Sequence, residues 1–165
     1  MNTKRMVWLS LLTAIALTIF MVEAQIPMPI PVAGVKLGLA NIVTLFTLCI
    51  LGPWDALIVL LLRCVLGCVF AGQITALFYS ITGGLFSWLV MLLIRKITTD
   101  KQIFTVSIVG SIFHNIGQII VAILMTGTPG LIVYLPVLLI SGILAGAFTG
   151  AAAQYLILHL KKLKF

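Results

Sequence analysis

Long apolar segments dominate this chain and constrain its fold more than any other feature. Of its 165 residues, 62% are hydrophobic and only 8% are charged, whereas a soluble domain carries about 25% charged residues. A membrane-spanning helix uses about 20 residues, so the chain has room for six crossings and short loops. The sequence therefore predicts an all-α integral membrane protein with one domain and no separate soluble catalytic domain.

Six segments, separated by turn residues, are apolar enough to form helices. Their approximate bounds are 6–22, 37–51, 53–71, 74–94, 103–126 and 131–158. We expect the first to be retained as a helix, although it superficially resembles a signal peptide. A Pro-rich segment, 23–36, follows it, and its three prolines exclude a regular helix. We expect this segment to be extended or re-entrant and to lie on the outer side.

The basic residues indicate the orientation of the bundle. The net charge is +7, but these residues lie at the ends of apolar segments and form no nucleic-acid-binding patch. Eight of the ten fall on one side of a six-helix bundle: Lys4, Arg5, Arg95, Lys96, Lys101, Lys161, Lys162 and Lys164. The positive-inside rule assigns that side to the cytoplasm. The sequence thus predicts a multi-pass protein of the cell membrane with both termini cytoplasmic.

Several catalytic and cofactor motifs are absent from the sequence. It contains no GxxxxGK[ST], HExxH or CxxC, so the chain is not expected to be its own ATPase. The three acids, Glu23, Asp55 and Asp100, are too dispersed for a paired-carboxylate or magnesium site. The three cysteines lie inside apolar segments and are expected to be packing residues. We therefore expect neither an enzyme nor a bound metal or cofactor.

Arg63 is the most informative single residue, because it lies near the middle of the third apolar segment. An arginine at the centre of a membrane costs about 2.5–3.5 kcal/mol on insertion scales, so it should face a protein interior or a wet cavity. Two kinds of partner are possible. One is a group of the protein, either Glu23 or a free backbone carbonyl, and the other is an anionic ligand held by the guanidinium donors. Lys36, on the outer side, is expected either to reach lipid headgroups or to act as a cap, or else to form with Arg63 a two-cation pocket that opens outward.

The fifth segment carries a polar stripe on one helical face. Ser107, Ser111, His114 and Gln118 recur at helical spacing, and Asn115 lies beside them. Such side chains either hydrogen-bond between helices or face a ligand cavity. Asn41 and Tyr79 are weaker candidate ligand contacts.

Stripes of small residues occur on two helices. Gly142, Gly146 and Gly150 repeat every four residues on the sixth, and Ser10, Ala14 and Thr18 form a weaker stripe on the first. Small residues let helices approach closely in lipid. The glycines serve either packing within the bundle or a subunit interface.

The stretch Gly34-Val-Lys-Leu-Gly-Leu-Ala-Asn-Ile-Val-Thr-Leu45 resembles the Gx transporter family, which is also labelled heptaprenyl diphosphate synthase component I. That family is similar to the substrate-binding S components of energy-coupling factor (ECF) vitamin transporters. The resemblance covers essentially the whole chain and implies a six-helix bundle that captures a ligand from the outer side. It also implies that Ser10, Ala14 and Thr18 contact a membrane coupling subunit driven by two ATPases.

Our leading hypothesis is a transport subunit without its own motor. The resemblance suggests an anionic, partly apolar small molecule, such as a flavin or an isoprenoid or quinone precursor. Its anionic group would meet Lys36 and Arg63, while Asn41, Tyr79, His114, Asn115 and Gln118 would complete the site. The alternative is a membrane scaffold for a soluble prenyl diphosphate synthase.

Overall fold

The computed structural model describes residues 3–26, 36–72 and 74–162, and in these ranges it contains only helices and connecting turns. The six α-helices are α1 (Thr3–Glu23), α2 (Asn41–Ile50), α3 (Pro53–Ala71), α4 (Ile74–Arg95), α5 (Ile103–Thr126) and α6 (Leu135–Lys162). Two 3₁₀ turns, Asp100–Gln102 and Pro129–Tyr134, precede α5 and α6. The all-α prediction is therefore confirmed for the described residues, while most of the Pro-rich segment, 27–35, lies outside them.

Five of the helices are long and apolar enough to cross a membrane, and α2 is not. At 1.5 Å per residue its ten residues rise about 15 Å, which is half the hydrocarbon core of about 30 Å. Six crossings are predicted, and the described residues provide five helices of spanning length and one shorter apolar helix. Hydropathy predicts its start at residue 37, but residues 36–40 are not helical, and Gly38 has a φ of +83°.

Contacts between helices give their relative directions. Arg5 at the start of α1 pairs with Asp55 at the start of α3, with 2.6 Å between Nη2 and Oδ1, so these two helices begin at the same end. The Trp88 indole donates to the Pro53 carbonyl at 3.1 Å, which brings the last part of α4 to that end. Lys161 of α6 contacts Asp100, just before α5, at 2.5 Å. The first residues of α1 and the last residues of α6 therefore lie at one end of the bundle, which we call the basic end.

The short helix α2 lies at the centre of the bundle, because it packs against every other α-helix. Of its ten residues only Ile50 is exposed. Together with the turn that precedes it, α2 returns the chain toward the basic end, where α3 begins.

Close packing of α5 on its neighbours depends on glycine. The stripe Gly142, Gly146 and Gly150 of α6 lies against Asn115, Ser111 and Ser107 of α5. This stripe therefore serves packing within the bundle, which was one of the two alternatives.

Replacing Gly117 with alanine is expected to destabilise the protein by about 1–3 kcal/mol, as overpacking of a core does. A Cβ there would lie 2.9 Å from the Gly83 Cα and 3.1 Å from the Thr82 carbonyl oxygen, which are backbone atoms that cannot move aside without separating α4 from α5. Gly130→Ala is the matched control, since a Cβ at that residue would have no atom within 4 Å. Thermal unfolding in detergent measures both, and equal melting temperatures would contradict this account of the α4–α5 contact.

Candidate functional site

A cluster of buried polar side chains occupies the middle of the bundle. Its members come from the end of α1, the turn before α2, and helices α2, α3 and α5, and they are Glu23, Lys36, Asn41, Arg63, His114 and Gln118. All but Lys36 are almost fully buried, and Lys36 is partly buried. We call this group the polar cluster.

The Arg63 side chain, 2% exposed, is the central cation of the cluster. Its Nη2 donates to the Asn41 side-chain oxygen at 2.8 Å. Among the described residues it forms no ion pair, and its Nε has no hydrogen-bond partner. A buried charge without a direct ion pair is costly. This guanidinium retains a donor that the described protein groups do not satisfy, and the Glu23 carboxylate interacts with its charge without forming an ion pair.

The sequence analysis considers Glu23 as a partner of Arg63, but its hydrogen bonds are to the turn before α2. Its carboxylate accepts a hydrogen bond from the backbone N–H of Gly38 and, at 3.4 Å, from that of Ala40. These amides precede the first turn of α2, whose N-cap residue provides no side-chain hydrogen bond. A carboxylate at a helix N-terminus satisfies free amides and interacts favourably with the helix dipole. Glu23 thus holds the turn before α2 in place and is not paired with Arg63.

His114 and Gln118 of α5 pack against the same turn. A Cβ on Gly38 would lie 2.8 Å from the His114 Cδ2 and 3.2 Å from the Asn41 Nδ2, so only a glycine fits between the two side chains. With the Gln118 amide oriented to satisfy both its ends, its nitrogen donates to the Lys36 carbonyl at 2.9 Å. Its oxygen accepts from the Lys36 N–H and the His114 Nε2, both at 3.2 Å.

The Lys36 ammonium makes its contact with α1 and not with His114 or Gln118 of α5. Its Nζ lies 3.3 Å from the centroid of the Phe20 ring, a cation–π contact. Burial lowers the pKa of Lys36 below the ordinary lysine value, and the nearby Glu23 carboxylate opposes that shift. The backbone of Lys36, rather than its ammonium group, makes the contacts that join the turn to α5.

The remaining predicted site residues lie around the cluster. Asn115, fully buried, donates to the Leu138 carbonyl of α6 at 2.5 Å, and its side-chain oxygen has no hydrogen-bond partner among the described groups. Ser107 of the same stripe bonds Thr149 of α6 at 3.0 Å. Tyr79 lies in an apolar cluster with Ile119 and Ala122. It is one helical turn before Gly83, which packs against His114. The stripe on α5 therefore divides between packing on α6 and the polar cluster.

Unsatisfied donors gather around Arg63. The Asn41 Nδ2 has no hydrogen-bond partner among the described groups, as is also true of the Arg63 Nε. Buried polar groups in native proteins are nearly always bonded, so each exception calls for a partner. Taken together, the cluster holds two cations and one carboxylate, and its free nitrogens suit a ligand that is anionic and rich in hydrogen-bond acceptors.

The small-residue stripe of α1 faces away from the bundle. Ser10, Ala14 and Thr18 are all exposed, and the Thr18 hydroxyl donates to the Ala14 carbonyl at 2.9 Å. This hydrogen bond uses the hydroxyl within its own helix, so the stripe presents a smooth surface with small side chains.

Comparison with known proteins identifies a family for most of the chain. Residues 12–156 match the protein family described as heptaprenyl diphosphate synthase component I. No curated protein and no solved structure matches the chain.

Proposed function

The chain belongs to the heptaprenyl diphosphate synthase component I family, and within that family we propose that it is the substrate-binding membrane subunit of a transporter. The single observation that carries this proposal is Arg63, a buried cation in the middle of the bundle whose Nε is unpaired and whose one described side-chain partner is neutral Asn41. Because such a charge is costly in a membrane, it is retained for an anionic group that arrives with the ligand.

The ligand is an anion with an apolar body, such as a flavin phosphate or an isoprenoid or quinone precursor that carries phosphate. Its anionic group accepts from Arg63, while the free side-chain N–H of Asn41 supplies a further donor. A charge-assisted hydrogen bond of this kind contributes about 1.5–3 kcal/mol. The apolar body lies against the surrounding helices, and the basic end of the bundle faces the cytoplasm.

The proposal is tested with matched ligand pairs that differ only in phosphate. The purified protein is titrated with flavin mononucleotide and riboflavin, and separately with farnesyl phosphate and farnesol. We expect the phosphorylated member of at least one pair to bind about 100-fold more tightly, which corresponds to about 2.8 kcal/mol. Equal affinities within every pair, or no binding of any of them, would remove the basis for an anion-binding subunit.

Coupling to a transport motor is assigned to the exposed face of α1. Ser10, Ala14 and Thr18 offer the close approach that helices need in order to associate in lipid. The partner is an ECF-type membrane coupling subunit driven by two ATPases, since this chain has no nucleotide-binding motif of its own.

Ala14→Leu tests this surface without touching the polar cluster. We expect the substitution to reduce co-purification of the coupling subunit at least tenfold, because the larger side chain holds the two helices apart. Ligand affinity should be unchanged, since Ala14 is exposed. Leu62→Ala, on an exposed position of α3, is the control. A coupling subunit that binds the Ala14 variant normally would place the interface elsewhere.

A second function is favoured by the family description, which names a component of heptaprenyl diphosphate synthase. In that case the chain is a membrane scaffold for a soluble prenyl diphosphate synthase and is not itself an enzyme. Its dispersed carboxylates provide no site for the magnesium ions of prenyl transfer. Co-purification distinguishes the two functions, because a scaffold recovers a synthase and a transport subunit recovers ATPases.

A further inference from the structure

The charges of the polar cluster can be counted separately from those of the rest of the chain. Its charged members are Glu23, Lys36 and Arg63. The other charged residues that the structure describes lie at the basic end, at the first or last turns of the helices or in the turn before α5. The cluster therefore holds two positive charges and one negative charge, which gives it a net charge of +1.

The other titratable groups around the cluster do not change this count. They are Cys64 and Cys68 on α3, Tyr79 on α4 and His114 on α5. A thiol and a phenol are mainly neutral up to about pH 8. Burial disfavours a charge on the His114 imidazole. The balance of charge in the cluster is therefore set by its one carboxylate and two cations.

The Glu23 carboxylate occupies the place where a helix commonly binds phosphate. It accepts from the N–H groups of Gly38 and Ala40, just before α2, and it interacts through space with Arg63 and Lys36. These contacts stabilise the ionised carboxylate and oppose the cost of burying it. Phosphate groups often bind to the free amides of a helix N-terminus, but these two amides already have an anion. Side chains must therefore hold the anionic group of the ligand.

The free side-chain donors of the cluster can satisfy only part of a phosphate dianion. Among the described residues of the cluster, the buried donors without a partner are the Arg63 Nε and the Asn41 Nδ2. The Lys36 ammonium lies against the Phe20 ring, 3.3 Å from its centroid. A phosphate dianion has three strong acceptor oxygens, and acceptors that stay unsatisfied away from water are costly. Protonation of one oxygen reduces both the charge and the number of strong acceptors.

We propose that the polar cluster binds its ligand in the singly charged form, so that a phosphate monoester takes up one proton when it binds. This inference rests on the proposed function and specifies the ionic form of its ligand. One negative charge balances the net charge of the cluster, whereas two leave an uncompensated charge inside the membrane. The proton comes from the solvent and goes to a phosphate oxygen rather than to Glu23, because the second pKa of a phosphate monoester is about 6 and that of a carboxyl group is about 4.3.

Matched phosphate and sulfate esters test the ionic form. A sulfate monoester has the same tetrahedral shape but keeps a single negative charge throughout the experiment. The purified protein is titrated at pH 6 and pH 8 with farnesyl phosphate and farnesyl sulfate, and with flavin mononucleotide and riboflavin 5′-sulfate. We expect the affinity for the phosphate ester that binds to fall about 50-fold, because its monoanion decreases from about half to about 1% of the total. The affinity for the matching sulfate should stay constant within about twofold.

Proton uptake and phosphorus-31 NMR measure the protonation state directly. Titration calorimetry at pH 8, in two buffers of different ionisation enthalpy, should show uptake of about one proton with the phosphate ester and of none with the sulfate. The phosphorus shift of the bound ester at pH 8 should be that of the monoanion. A bound dianion without proton uptake would overturn this inference and leave the anion-binding subunit in place. No binding of any of the four esters would overturn both.

Glu23→Gln raises the net charge of the cluster from +1 to +2 and should change the preferred ionic form. In this variant we expect the phosphate ester to bind as the dianion, with little proton uptake at pH 8 and at least tenfold more tightly than the sulfate. Asp100→Asn removes a carboxylate at the basic end and is the matched control, which should keep the uptake of the wild type. Equal proton uptake in the wild type and in a folded Glu23→Gln protein would show that this charge balance does not govern binding.

Discussion

Arg63→Ala is expected to weaken binding of the phosphorylated ligand about 100-fold while the protein stays folded. The guanidinium is buried, and among the described residues it forms no ion pair. Removing it therefore removes charge-assisted hydrogen bonds to the ligand, each about 1.5–3 kcal/mol. The substitution also leaves the Asn41 side-chain oxygen without its donor and removes a cation that interacts with Glu23, so the melting temperature without ligand is measured beside the affinity.

Isothermal titration with each phosphorylated ligand and its dephosphorylated counterpart checks this result. The variant should lose the preference for phosphate and bind both forms with similar, weak affinity. Arg63→Lys keeps the charge but not the fork of donors and should be intermediate. Arg5→Ala is the matched control, because that arginine lies at the basic end and pairs with Asp55. Unchanged affinity for a confirmed ligand in Arg63→Ala would refute the assignment of this residue.

The helices are largely predictable from the sequence, because hydropathy is a local property of each segment. The predicted bounds of the third and fifth helices, 53–71 and 103–126, agree with α3 and α5. The second helix is less predictable, since residues 37–40 are apolar but form a turn with Gly38 at positive φ. The turn is fixed by Glu23, fifteen residues earlier, and no local pattern reports a contact of that kind.

The polar cluster is predictable as a set of residues but not as an arrangement. A mid-membrane arginine and a polar helical stripe both signal an interior polar site. The partner of each group depends on how the helices pack. The bond between Arg63 and Asn41 and the close fit of Gly38 against His114 are tertiary contacts.

The tertiary structure also separates two roles for Glu23 that the sequence leaves open. Glu23→Ala is expected to destabilise the protein by about 3 kcal/mol, because the backbone N–H groups of Gly38 and Ala40 lose a charged acceptor inside the bundle. The turn that precedes Asn41 and packs against His114 would then loosen, and ligand affinity should fall with stability. Thermal unfolding and titration with the confirmed ligand measure the two effects.

Glu23→Gln distinguishes a support for the turn from a counter-ion for Arg63. Glutamine keeps a carbonyl oxygen that can accept from Gly38, so a supporting role predicts a loss of only about 1 kcal/mol of stability. It also removes the one negative charge of the polar cluster, so affinity for the anionic ligand should be unchanged or higher. If Glu23 neutralised Arg63, the same substitution would leave a buried charge uncompensated and cost about 3–5 kcal/mol. A stable glutamine variant that binds the anion at least as tightly as the wild type therefore assigns the charge of Arg63 to the ligand.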